Sequence, residues 1–258
     1  MKRMSGLIGR AGSTLTLAVL VGSSCWAAST DKSDKHPDLS GFWMLDMRAS
    51  QNQDKELMSK IAPNTAVIND TGAPELSAGD YGGLKLKPEA LAQAKKWDAH
   101  EQMNVSKVCE APSIVYAMQG PFPMEIYQGT KLIVMKMEYY DQVRIIFMDG
   151  RPHPPASAPH SKVGHSVGHW EGNILVVDTT NLEASTFTNN GADHSENIHV
   201  IERFKLSPDG KTLMATQEYE DPDTLYNRGA RFIAWRLVPG QYVNPYDCDP
   251  SWALEVSK

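Results

Sequence analysis

Alternating hydrophobic and polar positions dominate the chain from Met124 onward. EIYQ and KLIVMKMEYY are separated by Gly129-Thr130, a hairpin signal, and QVRIIFMD follows Asp141. GHSVGHW and NILVVDTTN meet at Glu171-Gly172, and HVIERFKL and TLMATQEYE meet at Ser-Pro-Asp-Gly. ARFIAWRLV closes the run. Upstream, PDLSGFWML reads as a first strand entered at Gly41. The helical period is convincing only over residues 88–100. There Pro88 suits the first turn and Ala90, Leu91, Ala94 and Trp97 line one face, which predicts packing on a sheet.

About nine strands with mostly short turns predict an all-β, mainly antiparallel fold. The favoured form is a barrel-like sheet with an interior pocket and one packed helix. A two-sheet β-sandwich is the alternative. Residues 28–258 are expected to form a single β-rich domain. Within it, residues 36–105 are irregular apart from the helix, residues 113–238 form the antiparallel sheet, and residues 239–258 are a tail. Residues 151–163 and 183–197 are long irregular segments flanking GHSVGHW. Such loops in a compact domain commonly carry function, and these two are placed to converge at one end of the sheet.

The N-terminus changes the picture of the compartment. Lys2, Arg3 and Arg10 precede a short apolar run, and Cys25 and Ala27 occupy the small positions before a cleavage site, so residues 1–27 read as a signal peptide. The protein is therefore expected to be periplasmic or secreted. The chain carries 25 Lys and Arg against 31 Asp and Glu, and all three early basic residues leave with the leader. That balance argues against nucleic acid as a partner, and no later segment is long and apolar enough for a membrane span. Cys109 and Cys248 remain after cleavage. In an oxidising compartment they are expected to form one disulfide, the alternative being two free thiols.

Candidate chemistry concentrates in residues 149–203, which hold six of the eight histidines. Imidazole titrates near neutral pH and is a common metal ligand. His165, Val167 and His169 share one face of a strand by alternation. Asp178 lies on the partner strand. A Glu171-Gly172 loop sets Asp178 opposite His165, where it would orient a general base, and a loop one residue longer sets it opposite Ser166. His153, Glu196, and His194 or His199 are the residues to complete a site. The catalytic candidates are His165, His169, Asp178, Arg151, His153 and His194. Arg151 either clamps an anionic group or pairs with Asp149 in its own turn. No zinc motif is present; if a metal ion binds, His165, His169 and His194 are its expected ligands. Structural histidines at strand ends are the competing reading. Ser166 sits in G-H-S-V-G, but the nucleophile elbow needs a helix after the strand and here a hairpin follows. Trp170, Tyr127 and Tyr139 are the aromatic residues, with Arg151, most suited to a small apolar or aromatic ligand.

Two resemblances accompany these motifs. Gly41-Phe42-Trp43 resembles the G-x-W opening of calycin barrels such as lipocalins and avidins. PDLSGFW, Cys109-x-x-Pro112, EIYQ, MDGRPHP, GHSVGHWEGNILVVDTTN, HSENIHVIERF and DPDTLY together resemble a group of secreted bacterial proteins. The second resemblance implies secretion and a β-rich domain, and brings no activity with it. NRGARFIAW stands where that group usually carries a Pro-Trp pair.

The leading expectation is a secreted enzyme without an organic cofactor, using histidine acid–base chemistry as a lyase, isomerase or hydrolase. No dinucleotide or phosphate-binding glycine motif is present. A small-molecule binding protein with a barrel pocket and a metal-dependent enzyme are the alternatives.

Overall fold

The computed structural model describes residues 36–69, 76–102 and 106–256. The leader expected over residues 1–27 lies outside the described residues. Residues 36–258 form one compact unit.

In chain order the strands are β1 (Gly41–Leu45), β2 (Ala66–Val67), β3 (Met124–Gln128), β4 (Leu132–Met137), β5 (Val143–Phe147), β6 (His165–Glu171), β7 (Ile174–Thr180), β8 (Ser185–Thr188), β9 (Ala192–His194), β10 (His199–Leu206), β11 (Thr212–Glu220) and β12 (Gly229–Leu237). Nine of them close a barrel in the order β1-β3-β4-β5-β6-β7-β10-β11-β12, with β12 returning to β1. Trp43 opposite Leu237 and Leu45 opposite Trp235 mark the closure. Closure removes the open edges that an antiparallel sheet would otherwise expose.

The barrel is mixed rather than wholly antiparallel across residues 113–238. β5 pairs with β6 in parallel at Ile146↔Ser166 and Phe147↔Val167. The segment over residues 148–164 is long enough to carry the chain back and start β6 in the same direction, which a tight hairpin cannot do. The short β2 also joins β12 in parallel, and β8 and β9 form a separate two-stranded hairpin whose Phe187 and Ala192 pack into the same core.

Alternation decides the two faces. Trp43, Ile126, Ile133, Met135, Ile146, Leu175, Val177, Val200, Phe204, Leu213, Ile233 and Trp235 fill the interior core. Residues 113–120, including the short helix Ile114–Ala117, are buried against this core. On the outside, helices Met47–Gln51 and Lys55–Ser59 cover one wall. Leu57 packs there with Ile174, Val176, Phe232 and Ala234. Both helices start at an aspartate cap, Asp46 accepting from Arg48 N and Ala49 N and Asp54 accepting from Leu57 N.

The helix expected over residues 88–100 is two pieces, Pro88–Ala94 and Ala99–Gln102. Asp98 interrupts it by accepting from His100 N at 2.8 Å. At the same place Gly191 presses on Ala94 and Trp97: a Cβ on Gly191 would lie 2.7 Å from the Ala94 carbonyl oxygen. Cys109 and Cys248 form the disulfide, with Cα atoms 5.8 Å apart. It pins the tail to the β4–β5 end, where Tyr246 packs against Phe122, Tyr139 and Tyr140.

Candidate functional site

The two-residue turn of the β6–β7 hairpin is Gly172-Asn173, because Gly172 supplies the positive φ of 62° that the turn requires. The register is then Glu171↔Ile174, Val167↔Asp178 and His165↔Thr180. Neither sequence-based register holds. Asp178 opposes Val167, so it shares a face with His165 and His169 and lies diagonal to both.

That face is the outside of the barrel. Ser166, the next residue, points inward and is fully buried, bonded to Arg144 Nε at 3.0 Å and Thr179 Oγ1 at 2.9 Å. Its position excludes a nucleophile elbow. His165 therefore stands on the outer rim, where β5 ends, β6 and β10 begin, and β7 and β11 end. Residues 151–163 and 183–197 both leave from this rim and meet there: Glu183 N bonds Ser161 O, and His160 Nδ1 lies 3.8 Å from Glu196.

The first of these loops carries His153 into contact with the strands. His153 Nε2 donates to Asp178 Oδ1 at 3.0 Å, and His153 Nδ1 lies 3.0 Å from His165 Nδ1. His199, the first residue of β10, donates from Nε2 to the same Asp178 oxygen at 2.8 Å. The result is a continuous row: His165, His153, Asp178, His199. Its bonding pattern assigns protons. Asp178 is an acceptor to both neighbours, so each holds its proton on Nε2. His153 and His165 then share one proton between their Nδ1 atoms. With both rings neutral, His165 donates and presents an unprotonated Nε2.

The electrostatics separate the two ends. His165 is held below the ordinary imidazole value, first by burial and then by the charges of His153 and Arg151. His199 is held above it, first by its hydrogen bond to Asp178. Burial alone would raise Asp178, but its bonds and charge contacts with His199 and His153 bring it below the ordinary carboxylate value. His199 Nδ1 lies 3.8 Å from Glu220, beyond hydrogen-bond length, and Glu220 pairs with Arg228 at 2.6 Å. Next to the row, a groove of about 200 Å³ is lined by His153, Pro154, His160, Asn181, Glu196 and His199. A second hollow, lined by Glu220, Leu225, Tyr226 and Arg228, shares Asn197 and His199 with it.

Other candidates fall elsewhere. His169 is exposed and its ion partner is Glu171 at 3.5 Å. His194 is buried away from the row, with Nδ1 donating to Ser195 O at 2.9 Å and Nε2 accepting from Ser113 Oγ at 2.7 Å. Burial drives its pKa down to about 4. His165, His169 and His194 therefore do not converge, and no group of three or more His, Cys, Asp or Glu among the described residues is arranged to hold a metal ion. Arg151 pairs with Asp149 at 2.6 Å and lies 3.7 Å over the Phe147 ring, beside His165. Trp170 stacks on His36, Tyr139 belongs to the aromatic cluster over the disulfide, and Tyr127 is exposed on β3.

His199 was the member of the row given least weight in the sequence. Its signal was its place at the start of HVIERFKL, where alternation with the buried Val200 turns it outward. The fold and row define a closed mixed β-barrel bearing a histidine–aspartate chain on its outer rim. The sequence matches no protein-family model and no curated protein.

Proposed function

We propose that this protein is a periplasmic or secreted enzyme that moves protons on a small organic molecule by histidine acid–base chemistry, without an organic cofactor. Lyase, isomerase and hydrolase reactions share this requirement. The observation that carries the reading is the Asp178 carboxylate bonded to His153 and His199, in a row whose two ends, His165 and His199, are displaced in opposite directions. A base and an acid of different strength at one site are what such chemistry needs at neutral pH. His165 is the base, since its unprotonated Nε2 makes no hydrogen bond among the described residues. His153 relays the resulting charge toward Asp178. His199 lines the groove, is raised by its bond to Asp178, and is the acid. The Cys109–Cys248 disulfide supports an oxidising compartment, and among the described residues no helix is long and apolar enough to cross a membrane. The acidic charge balance argues against nucleic-acid partners.

Base-catalysed ring opening of 5-nitrobenzisoxazole reports a positioned base without knowledge of the natural substrate. The wild-type protein should accelerate it, and His165→Gln should lose about 100-fold of that rate, the scale of a positioned acid–base group, with an unchanged melting temperature. Equal rates for both proteins, with His165 titrating above His199 by NMR, would sink the reading.

A further inference from the structure

On the outer wall formed by β3, β4 and β5 the tail covers the Glu125–Lys136 side, Val243 bonding both residues, and the side chains beyond it are apolar and exposed. Tyr127, Leu132, Val143 and Ile145 are 55%, 40%, 49% and 43% exposed. Register orders them. Tyr127 opposes Val134, and Val134 opposes Ile145. Continuing the parallel β5–β6 pairing one residue back places Ile145 beside His165. In the adjacent row Leu132 opposes Phe147, Phe147 neighbours Val167, and Val167 opposes Asp178. Two apolar rows thus run straight into the histidine–aspartate chain. A row such as Glu125, Lys136, Val143 is polar over its first two strands and bounds the strip on the other side.

From β3 to β6 the strip spans three inter-strand steps, about 14 Å. Exposed apolar surface of this kind, continuous and bounded by polar residues, marks a binding face. At its site end the strip meets an arginine. The Arg151 guanidinium lies flat over Phe147, with Nε and Nη2 bonded to Asp149. Arginine has five N–H donors, so the Nη1 edge remains to bond an anion.

We infer that the ligand of this site is a small anionic amphiphile. Its extended apolar chain lies across Tyr127, Val134 and Ile145, and its carboxylate or similar head meets Arg151 beside His165. The inference rests on the acid–base reading for what happens to the head, but the binding face is testable by itself. It accounts for three features that catalysis alone leaves aside: exposed apolar side chains in register with the row, an arginine stacked at their end, and the row's position outside the barrel.

The probe is dodecanoate below its micelle concentration, titrated into the full chain and followed by NMR and calorimetry. Wild-type protein should bind it, with shifts along β3–β5 and at Arg151. Ile145→Glu should weaken binding at least 10-fold, and Tyr127→Ala, at a more exposed position, should weaken it less with no loss of melting temperature. Arg151→Gln should weaken dodecanoate binding but leave dodecanol binding unchanged. The benzisoxazole rate of wild type and of His165→Gln is read without dodecanoate, which keeps failure of the ligand proposal separate from failure of the base. Absence of dodecanoate binding to wild type, or equal affinity in Ile145→Glu and Tyr127→Ala, overturns the proposal. So does a wild-type dimer by sedimentation that Ile145→Glu dissociates, which would make the wall a self-interface. Binding to phosphatidylglycerol vesicles without binding to dodecanoate also overturns it, making the wall a membrane surface.

Discussion

Two polar networks sit back to back on β6, β7 and β10, the inner one extending to β5 and β11. Inside the barrel, Arg144 pairs with Glu202 and bonds Ser166 and Thr179, and Gln217 bonds Glu202 from β11. Outside, His165, Asp178 and His199 form the row with His153. Ser166 is the neighbour of His165, and Thr179 the neighbour of Asp178. One residue of alternation separates a sealed network from an open one. The inner group has both ionic side chains 1% exposed. The outer group is about a quarter to two-fifths exposed, borders a groove, and contains imidazoles with displaced pKa values. Polarity and clustering do not distinguish them; solvent access and a titratable proton do.

Breaking the inner network should have the largest effect. Arg144→Ala leaves Glu202 charged and buried without its partner. The expected loss is about 3–5 kcal/mol of stability, seen as a large fall in urea midpoint at unchanged slope. A near-neutral result would mean that the inner ion pair does not hold the barrel, and the contrast between the two faces would collapse.

The second test asks whether burial alone separates structural from chemical histidines. His194 has a folded pKa of about 4, below its unfolded value. A depressed group contributes stability that is fully present above about pH 6.5 and is lost as pH falls toward 4, here roughly 3 kcal/mol. Wild-type protein should lose that amount between pH 7 and pH 4, measured by urea unfolding. His194→Gln should show a flatter acid limb. Parallel limbs for the two proteins would assign the acid loss to other groups.

The smallest stability effect is expected at the outer row. Asp178→Asn should change stability at neutral pH by less than about 1 kcal/mol, because the pair is solvent-screened. Its signature is titration. His199 has a raised folded pKa, so its contribution is present below about pH 6.5 and is lost as pH rises through the folded value. NMR titration of Asp178→Asn should show His199 returning toward the ordinary value. An unmoved His199 would show that Glu220, not Asp178, sets its charge.

Much of this is legible in the sequence. Strand positions, the hairpin turns and the cysteine pair could be read because alternation, turn residues and compartment act locally or through composition. The helix at Pro88 was visible, but its interruption was not, since Gly191 and the capping Asp98 act there together. The small helices at Asp46 and Asp54 were too short for a period to show. In the site, His165 and His169 were named from strand alternation and Asp178 from hairpin pairing, and their shared face holds, whereas His153 and His194 were added from clustering and only His153 joins the row. Three-dimensional neighbours of His165 come instead from a loop, from a diagonal position on the next strand, and from β10.

What the sequence determined by itself is which residues share a face: a period of two is a property of the extended backbone and needs no partner. It could not say which face is inside. That was decided when β12 closed onto β1 and the interior took the larger apolar set, turning Ser166 inward and His165 outward. Nor could it set the hairpin register, where one residue of turn decides whether Asp178 meets Val167, His165 or Ser166. The positive φ at Gly172 settles that locally. The meeting of His153 with Asp178 and His165 depends on a loop return from β5 to β6, a long-range arrangement that only the folded barrel provides.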